Sequence, residues 1–398
     1  MPDIAFDPSA PLDAAPTPWA PTSQPSSRDG PPYHMTDMIA AEPWITGRIV
    51  ERLADPQGAA GRLAGAIGQA ASTGATIVVT GCGTSEHAAL ATAEILREAI
   101  RAAGMPSGAG SVVAAQAFEL TLDPPTGGLV IGISHEGGTA ATTRALAASA
   151  AAGARTAIVT ASAGSPGAAV AEIVVETVEL DHSWCHTVGY LSPIVAAASA
   201  GAHLSGGSLD GDTLVELVAA GARDEVGAEA IASRVADARS LIVLASGADR
   251  PAARELVLKV EEAAWRPSAM RDLETFLHGH LPAVDDATAI VLVLADREAR
   301  AERLDRARQA LAAAAVLGVR SAAIVAAEAS EMIPADLTPA GRLIVADAAS
   351  LPAPVAALIG TATPLQLLTE RIARARGTNP DPIRRDDPRY AKASAAAE

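Results

Sequence analysis

From residue 75 onward the chain alternates short runs of Val, Ile and Leu with longer Ala-rich stretches. Ala75–Thr80, Ser111–Ala115, Gly128–Ser134, Thr156–Thr160 and Glu172–Thr177 form one series of runs. Ser240–Ser246, Thr288–Ala295, Ser321–Ala326 and Arg342–Ala346 form a second. Continuous apolar runs separated by helices predict strands covered on both faces, hence parallel sheets. Two series predict an α/β chain with two doubly wound parallel-sheet domains in tandem. Ahead of them, Met35–Leu53 carries apolar residues at helical spacing and predicts a leading helix. Gly206–Asp212 opens a connection that continues as a helix through Ala236.

These patterns divide the chain into four parts. Residues 1–32 are rich in Pro, Ser, Ala and Asp without any period, and predict a disordered tail. Residues 33–210 make the first domain with its leading helix, and 211–376 the second. Residues 377–398 are polar and Pro-rich, a tail expected to lie over the active site. A length of 398 residues gives each domain enough chain for its own core. Aromatics are only 3% of a chain that is 49% apolar, so that core is built from Ala, Val, Leu and Ile.

Charge narrows the partners. With 30 basic against 46 acidic residues the net charge is −16, a field that repels nucleic acid and anionic lipid. No apolar run is long enough to span a bilayer, and Met1–Pro32 has neither the basic nor the apolar region of a secretory signal. A cytoplasmic protein is expected. The two cysteines, Cys82 and Cys185, are too few for a disulfide framework.

In open parallel sheets, ligands collect beyond the carboxyl ends of the strands. Three turns at such places could hold a small polar ligand: Thr80-Gly81-Cys82-Gly83-Thr84-Ser85, Ile133-Ser134-His135-Glu136-Gly137-Gly138-Thr139, and Cys185-His186-Thr187-Val188-Gly189. Glycines let backbone N–H groups approach a ligand, hydroxyls add hydrogen bonds, and a helix N-terminus favours negative charge. The first is neither a Walker loop nor a G-x-G-x-x-G fingerprint. In the second series Glu255, Lys259 and Glu262 are spaced to share one helical face. Alone, that spacing is better read as a solvated ion-pair ladder.

These residues resemble the sugar isomerase (SIS) superfamily, and within it the isomerase half of glucosamine-6-phosphate synthase. Gly81-Cys82-Gly83-Thr84-Ser85 resembles its first sugar-phosphate loop, and Ser134-His135-Glu136-Gly137-Gly138-Thr139 its S-Q-S-G-E-T loop. Met35 through Ile39 to Pro43 resembles its leading segment. Glu255-Leu256-Val257-Leu258-Lys259-Val260-Glu261-Glu262 parallels E-G-A-L-K-L-K-E, and the His278-Gly279 pair, sixteen residues after Glu262, parallels K-H-G. The likeness runs from about Tyr33 to Lys392. It implies that Glu262 moves a proton between C1 and C2 of a carbohydrate derivative, and that His278 opens the sugar ring from the partner subunit of a homodimer. Lys259 and Glu255, on the same helical face as Glu262, are counted with it as catalytic candidates. Cys82, Gly83, Thr84, Ser85, Ser134, His135, Glu136, Thr139, His186 and Thr187 would bind substrate. A carboxylate partly withdrawn from water suits general-base work, and imidazole suits proton shuttling near neutral pH. No cofactor or metal is implied.

The chain departs from the family at three points. Glu136 stands where a phosphate-binding serine is usual, and like charges 4 Å apart repel by about 4 kcal/mol at an effective dielectric of 20. Glu136 therefore turns away, is protonated, or faces an uncharged hydroxyl or amino end; the last is the expectation. His135 and His186 replace Gln and Ser and, with His87, His182, His278 and His280, enrich the site in imidazoles. His182 and His186, four apart, make a metal conceivable, but hydrogen bonding in a polar cleft is the preferred reading. Finally, Pro382–Tyr390 lengthens the approach to a tail lysine, for which Lys392 is the candidate. No glutaminase domain with an N-terminal cysteine precedes Tyr33, so glutamine-dependent transfer within the chain is not expected. An aldose–ketose isomerase or an amino-sugar deaminase/isomerase, deglycases included, leads. A non-catalytic sugar-phosphate sensor or regulatory subunit is the alternative.

Overall fold

The computed structural model describes residues 6–105 and 110–397. One five-stranded sheet contains β1 (Ile77–Gly81), β2 (Val112–Gln116), β3 (Leu129–Ile133), β4 (Arg155–Thr160) and β5 (Ile173–Glu176). The other contains β6 (Ser240–Ala245), β7 (Ser268–Asp272), β8 (Thr288–Leu294), β9 (Arg320–Ala326) and β10 (Gly341–Val345). Every pairing is parallel. The orders β2-β1-β3-β4-β5 and β10-β9-β8-β6-β7 are one arrangement repeated, so the fold is two doubly wound α/β domains in tandem. The strand order reverses between β1 and β3 in the first domain and between β6 and β8 in the second, and ligand crevices belong at those two points.

β1, β3 and β8 are buried at every position because helices cover both faces. β7 was not expected from the sequence. It is an edge strand, Ser268-Ala269-Met270-Arg271-Asp272, half-buried throughout, and an edge tolerates polar residues that a central strand excludes. The leading helix spans His34–Arg52. The expected connection helix is instead two, Gly211–Arg223 and Glu225–Val235, broken at Asp224, whose carboxylate accepts the Gly227 N–H at 3.0 Å and starts the second.

The helix Ala353–Arg376 is buried from Ala353 to Ala373 and packs against Arg250–Ala264, Gly211–Arg223, Glu225–Val235 and Val188–Leu204. A helix buried on all sides is a core helix, and this one sits where the two domains meet. One apolar cluster runs from Met38 and Ile45 through Ile194 to Leu358 and Leu367, crossing that boundary without a gap. Burial of each such Leu or Ile contributes about 1.5–3 kcal/mol relative to exposure.

The N-terminal segment corrects an expectation. The part of the predicted disordered tail at residues 1–5 lies outside the described residues, but 6–32 form an extended arm laid on the first domain. Leu12 N–H donates to Glu179 at 2.9 Å and Leu180 N–H to the Asp13 carbonyl at 2.9 Å. Farther along, Trp19 Nε1 donates to the Glu136 carbonyl at 3.0 Å. Composition predicts no helix or strand here, correctly, but it cannot see polar groups supplied by a distant surface.

The C-terminal tail is tied down at several points. Gly377 (φ 68°) closes the long helix, and Thr378 Oγ1 donates to the Ala263 carbonyl at 2.7 Å. The Asp381 carboxylate accepts the N–H groups of His34 (2.8 Å) and Met35 (2.9 Å), capping the leading helix.

Candidate active site

The first turn leaves β1 at Gly81 and enters the helix Thr84–Ala102 at once. Gly83 has φ 58° and ψ −127°, a conformation open to glycine and strained for other residues. Facing this turn is the helix Arg250–Ala264 of the second domain. Thr84 Oγ1 donates to Glu255 Oε1 at 3.2 Å, and His87 Nδ1 lies 2.7 Å from Glu255 Oε2. The acid-bearing helix of the second domain therefore reaches the glycine-and-hydroxyl turn of the first.

Glu255, Lys259 and Glu262 lie along one face, as their spacing requires, but the ladder is not solvated. Glu255 and Lys259 are completely buried. Lys259 Nζ is 3.6 Å from Glu255 Oε1 and 2.6 Å from Glu262 Oε2. Burial acts to lower the Lys259 pKa, but Glu262, with Cys185 and Glu255, raises it above its usual value, so it stays charged. Burial likewise pushes Glu255 up, but Lys259 and the His87 hydrogen bond outweigh it and hold the carboxyl below its ordinary range. Glu262, with a side chain 23% exposed, is the member of the ladder that faces a cavity.

The turns after β3 and before the helix Val188–Leu204 meet around Asp181. This buried carboxylate accepts N–H groups of Ser183 (3.0 Å), Thr187 (2.6 Å) and Gly189 (3.3 Å), and its oxygen lies 3.8 Å from His186 Nδ1. Burial would raise its pKa, but His186, His135 and the backbone donors bring it down to about 2. His135 Nε2 accepts the Asp181 N–H at 2.9 Å and is therefore unprotonated there. Burial and the neighbouring His186 lower its pKa to about 4. His186 moves the other way: burial opposes its charge, but Asp181 outweighs burial and raises its pKa. The two rings lie 5.4 Å apart. Beneath them Glu42 is fully buried with no hydrogen-bond partner for either oxygen among the described residues, and burial pushes its pKa well above the usual range.

Glu136 lies against the N-terminal arm. Its carboxylate accepts both the N–H (3.1 Å) and the hydroxyl (2.5 Å) of Thr22, and the Trp19 ring packs on Gly138. The side chain is thus engaged by the N-terminal arm, which covers this turn. Gly137 (φ 74°) has no room for a Cβ, which would lie 2.0 Å from Ser165 Oγ. Ser134 Oγ donates to Thr139 Oγ1 at 3.2 Å.

Several expected site residues lie elsewhere. Cys82 Sγ is 3.8 Å from Thr142 Oγ1 and packs with the apolar cluster of Val130 and Leu146. His278 is 70% exposed and pairs with Glu274 at 2.8 Å, making no contact with the ladder in its own chain. Lys392 is exposed on the helix Pro388–Ala395 and does not line the Glu262 cavity, which the tail borders through Ile383, Arg384, Arg385, Tyr390 and Ser394. The tail is longer than a direct approach to Glu262 requires, and its extra turn brings arginines there instead. His182 and His186 turn to different carboxylates, Asp13 (3.6 Å) and Asp181, and among the described residues no three metal-ligating side chains converge. Asp181 and Glu42 are not marked as site residues by the sequence, and the contact of His87 with Glu255 is not legible there either. Glu255 lies 168 residues from His87, whereas the donors to Asp181 are two to eight residues away, so the Asp-x-Ser spacing of an N–H-accepting turn is the one available signal.

At the equivalent point of the second domain, beyond β6 and β8, the crevice is filled by acid. Asp249 accepts the N–H groups of Ala295 (3.0 Å) and Asp296 (3.1 Å), and Asp296 pairs with Arg303. Burial and the adjacent Asp296 raise the Asp249 pKa to about 7. The two domains share a topology, but the anion-compatible turns belong to the first.

The family model described as SIS domain matches residues 72–202 and 234–353, once over each sheet. Among solved structures, the chain is similar to the C-terminal domain of glucosamine-fructose-6-phosphate aminotransferase from Francisella tularensis (21% identity, 89% of this chain and 99% of that one, TM-score 0.73). It is similar also to tagatose-6-phosphate ketose/aldose isomerase from Escherichia coli (18%, 90% and 98%, TM-score 0.70). Glucosamine-6-phosphate deaminase from Thermotoga maritima follows (16%, 87% and 96%, TM-score 0.62). At these identities the likeness is one of fold. No curated protein matches the chain by sequence.

Proposed function

We propose that this chain, which belongs to the SIS-domain family, is an enzyme that transfers a proton between C1 and C2 of a carbohydrate derivative. The reaction class is aldose–ketose isomerisation or amino-sugar deamination/isomerisation. The observation that carries this reading is the buried ladder. Lys259 holds Glu262 at 2.6 Å at the edge of a cavity, while Glu255 bonds Thr84 of the first domain's turn. A charged group buried completely needs a partner in good geometry. Here two carboxylates supply it, and Glu262 is left facing the cavity.

In this reading Glu262 is the general base, and Lys259 and Glu255 are positioning residues. The hydroxyls of Thr84, Ser85, Ser134 and Thr139 orient the sugar. His278 opens the ring from the partner subunit of a homodimer, which agrees with its exposure and its lack of contact with Glu262 in its own chain. Phe118 and Leu122, one turn apart and 55% and 66% exposed, supply apolar surface for self-association. No described helix is long and apolar enough to cross a membrane, and a cytoplasmic location fits the reading.

The test is proton exchange. Proton NMR in D2O would follow the C1 and C2 hydrogens of fructose 6-phosphate, glucosamine 6-phosphate, their unphosphorylated forms and a fructosyl-amine. The expected outcome is enzyme-dependent deuterium incorporation in at least one. Binding without any exchange would support the sensor reading and reject this one.

A further inference from the structure

The cavity that Glu262 faces has a second polar feature. Its volume is about 470 Å3, and the C-terminal tail forms the opposite wall. The Arg384 guanidinium is stacked between two rings, 4.5 Å from the centre of Trp265 and 4.0 Å from that of Tyr390. The Arg385 guanidinium lies 5.1 Å from the Trp184 ring. Neither has a carboxylate oxygen within 4.0 Å among the described residues. The nearby acids are engaged elsewhere: Glu262 with Lys259, Glu261 with the Ser268 N–H (3.0 Å), and Asp387 with Arg389 (2.7 Å). In a chain with sixteen more acids than bases, two adjacent unpaired guanidiniums in one cavity call for a reason.

The backbone gives a second one. Five non-glycine residues have positive φ among those described, and three border this cavity: Trp265 (53°), Ile383 (42°) and Arg384 (64°). Left-handed conformations are unfavourable for such residues and persist where surrounding structure enforces them, commonly at ligand sites. Here they place Trp265 beneath Arg384, and both arginines line the cavity that Glu262 also lines. Stacking leaves the in-plane N–H groups of Arg384 available, the geometry that recognises a carboxylate or phosphate in a bidentate fashion.

We infer that Arg384 and Arg385 form a subsite for the anionic end, carboxylate or phosphate, of the carbohydrate derivative whose reacting carbons face Glu262. The inference rests on the proposed role of Glu262. It also accounts for the first domain's second turn, where an anion would meet the Glu136 carboxylate and the arm bound to it.

The experiment is calorimetric titration of the full chain with fructose 6-phosphate, fructosyl-glycine and neutral fructose. One anionic probe is expected to bind about tenfold or more tightly than fructose. Arg384→Gln and Arg385→Gln should each remove most of that preference at an unchanged melting temperature. The probe that shows the effect identifies phosphate or carboxylate as the group bound. Variants that keep the wild-type preference would overturn the inference, as would a wild type that favours neither anion. Heat of binding is read without turnover. Arginine-dependent anion binding without C1/C2 exchange would therefore reject the catalytic reading alone, and exchange with arginine-independent binding would reject the subsite alone.

Discussion

Lys259 carries a full charge into a place closed to water, and it is stable there because carboxylates stand at both ends of its reach. Removing one partner of a buried pair costs about 3–5 kcal/mol, far more than the pair contributes when intact. Glu255→Leu should lower unfolding stability by about that amount in urea titrations; a change below about 1 kcal/mol would mean the ladder is solvated after all. Asp249 gives a pH signature. Its carboxyl moves from an ordinary 3.8 to about 7 on folding, so between those values the folded state binds more protons and loses stability as pH rises. His135, held neutral down to about 4 against an ordinary 6.5, contributes the opposite slope over about 4 to 6.5. Asp249→Asn should therefore flatten the fall in stability expected between about pH 6.5 and 7, where His135 no longer titrates; an unaltered slope would contradict the assignment. The shared face of Glu255, Lys259 and Glu262 was legible from spacing alone. Its burial was not, because helical periodicity does not say which face meets another domain.

At the scale of elements, strands buried on both faces announced themselves as continuous apolar runs, whereas the polar edge strand β7 and the N-terminal arm did not. The arm has no period to read: its order comes from single contacts such as Trp19 on Gly138 and Thr22 on Glu136. Trp19→Ala should release it, weakening local docking by about 1–3 kcal/mol. Hydrogen exchange would then accelerate over residues 12–24 while the global melting temperature holds; unchanged protection would show that Trp19 does not anchor the arm. The tail illustrates the same limit. Its extra length was visible in the sequence, but the turn at Ile383 and Arg384 that brings two arginines to the cavity depends on Trp265 and Tyr390 being there to receive them.

For the molecule as a whole, two copies of one topology have taken different parts. The first sheet presents the glycine-and-hydroxyl turns, and the second contributes the acid-bearing helix while filling its own crevice with Asp249 and Asp296. The long helix Ala353–Arg376 and the continuous core hold these halves in register, so Thr84 and Glu255 stay within hydrogen-bond reach. In the proposed reading, the exposed His278 serves the site of a second copy. Subunit complementation tests this most directly. Glu262→Gln and His278→Ala should each reduce C1/C2 deuterium exchange by about 10²–10⁴-fold. Unfolding, mixing and refolding the two variants in equal amounts should restore about a quarter of wild-type exchange, since half the dimers then carry one intact site. A mixture as inactive as its components, or a fully active His278→Ala, would contradict a proton-transfer site shared between subunits.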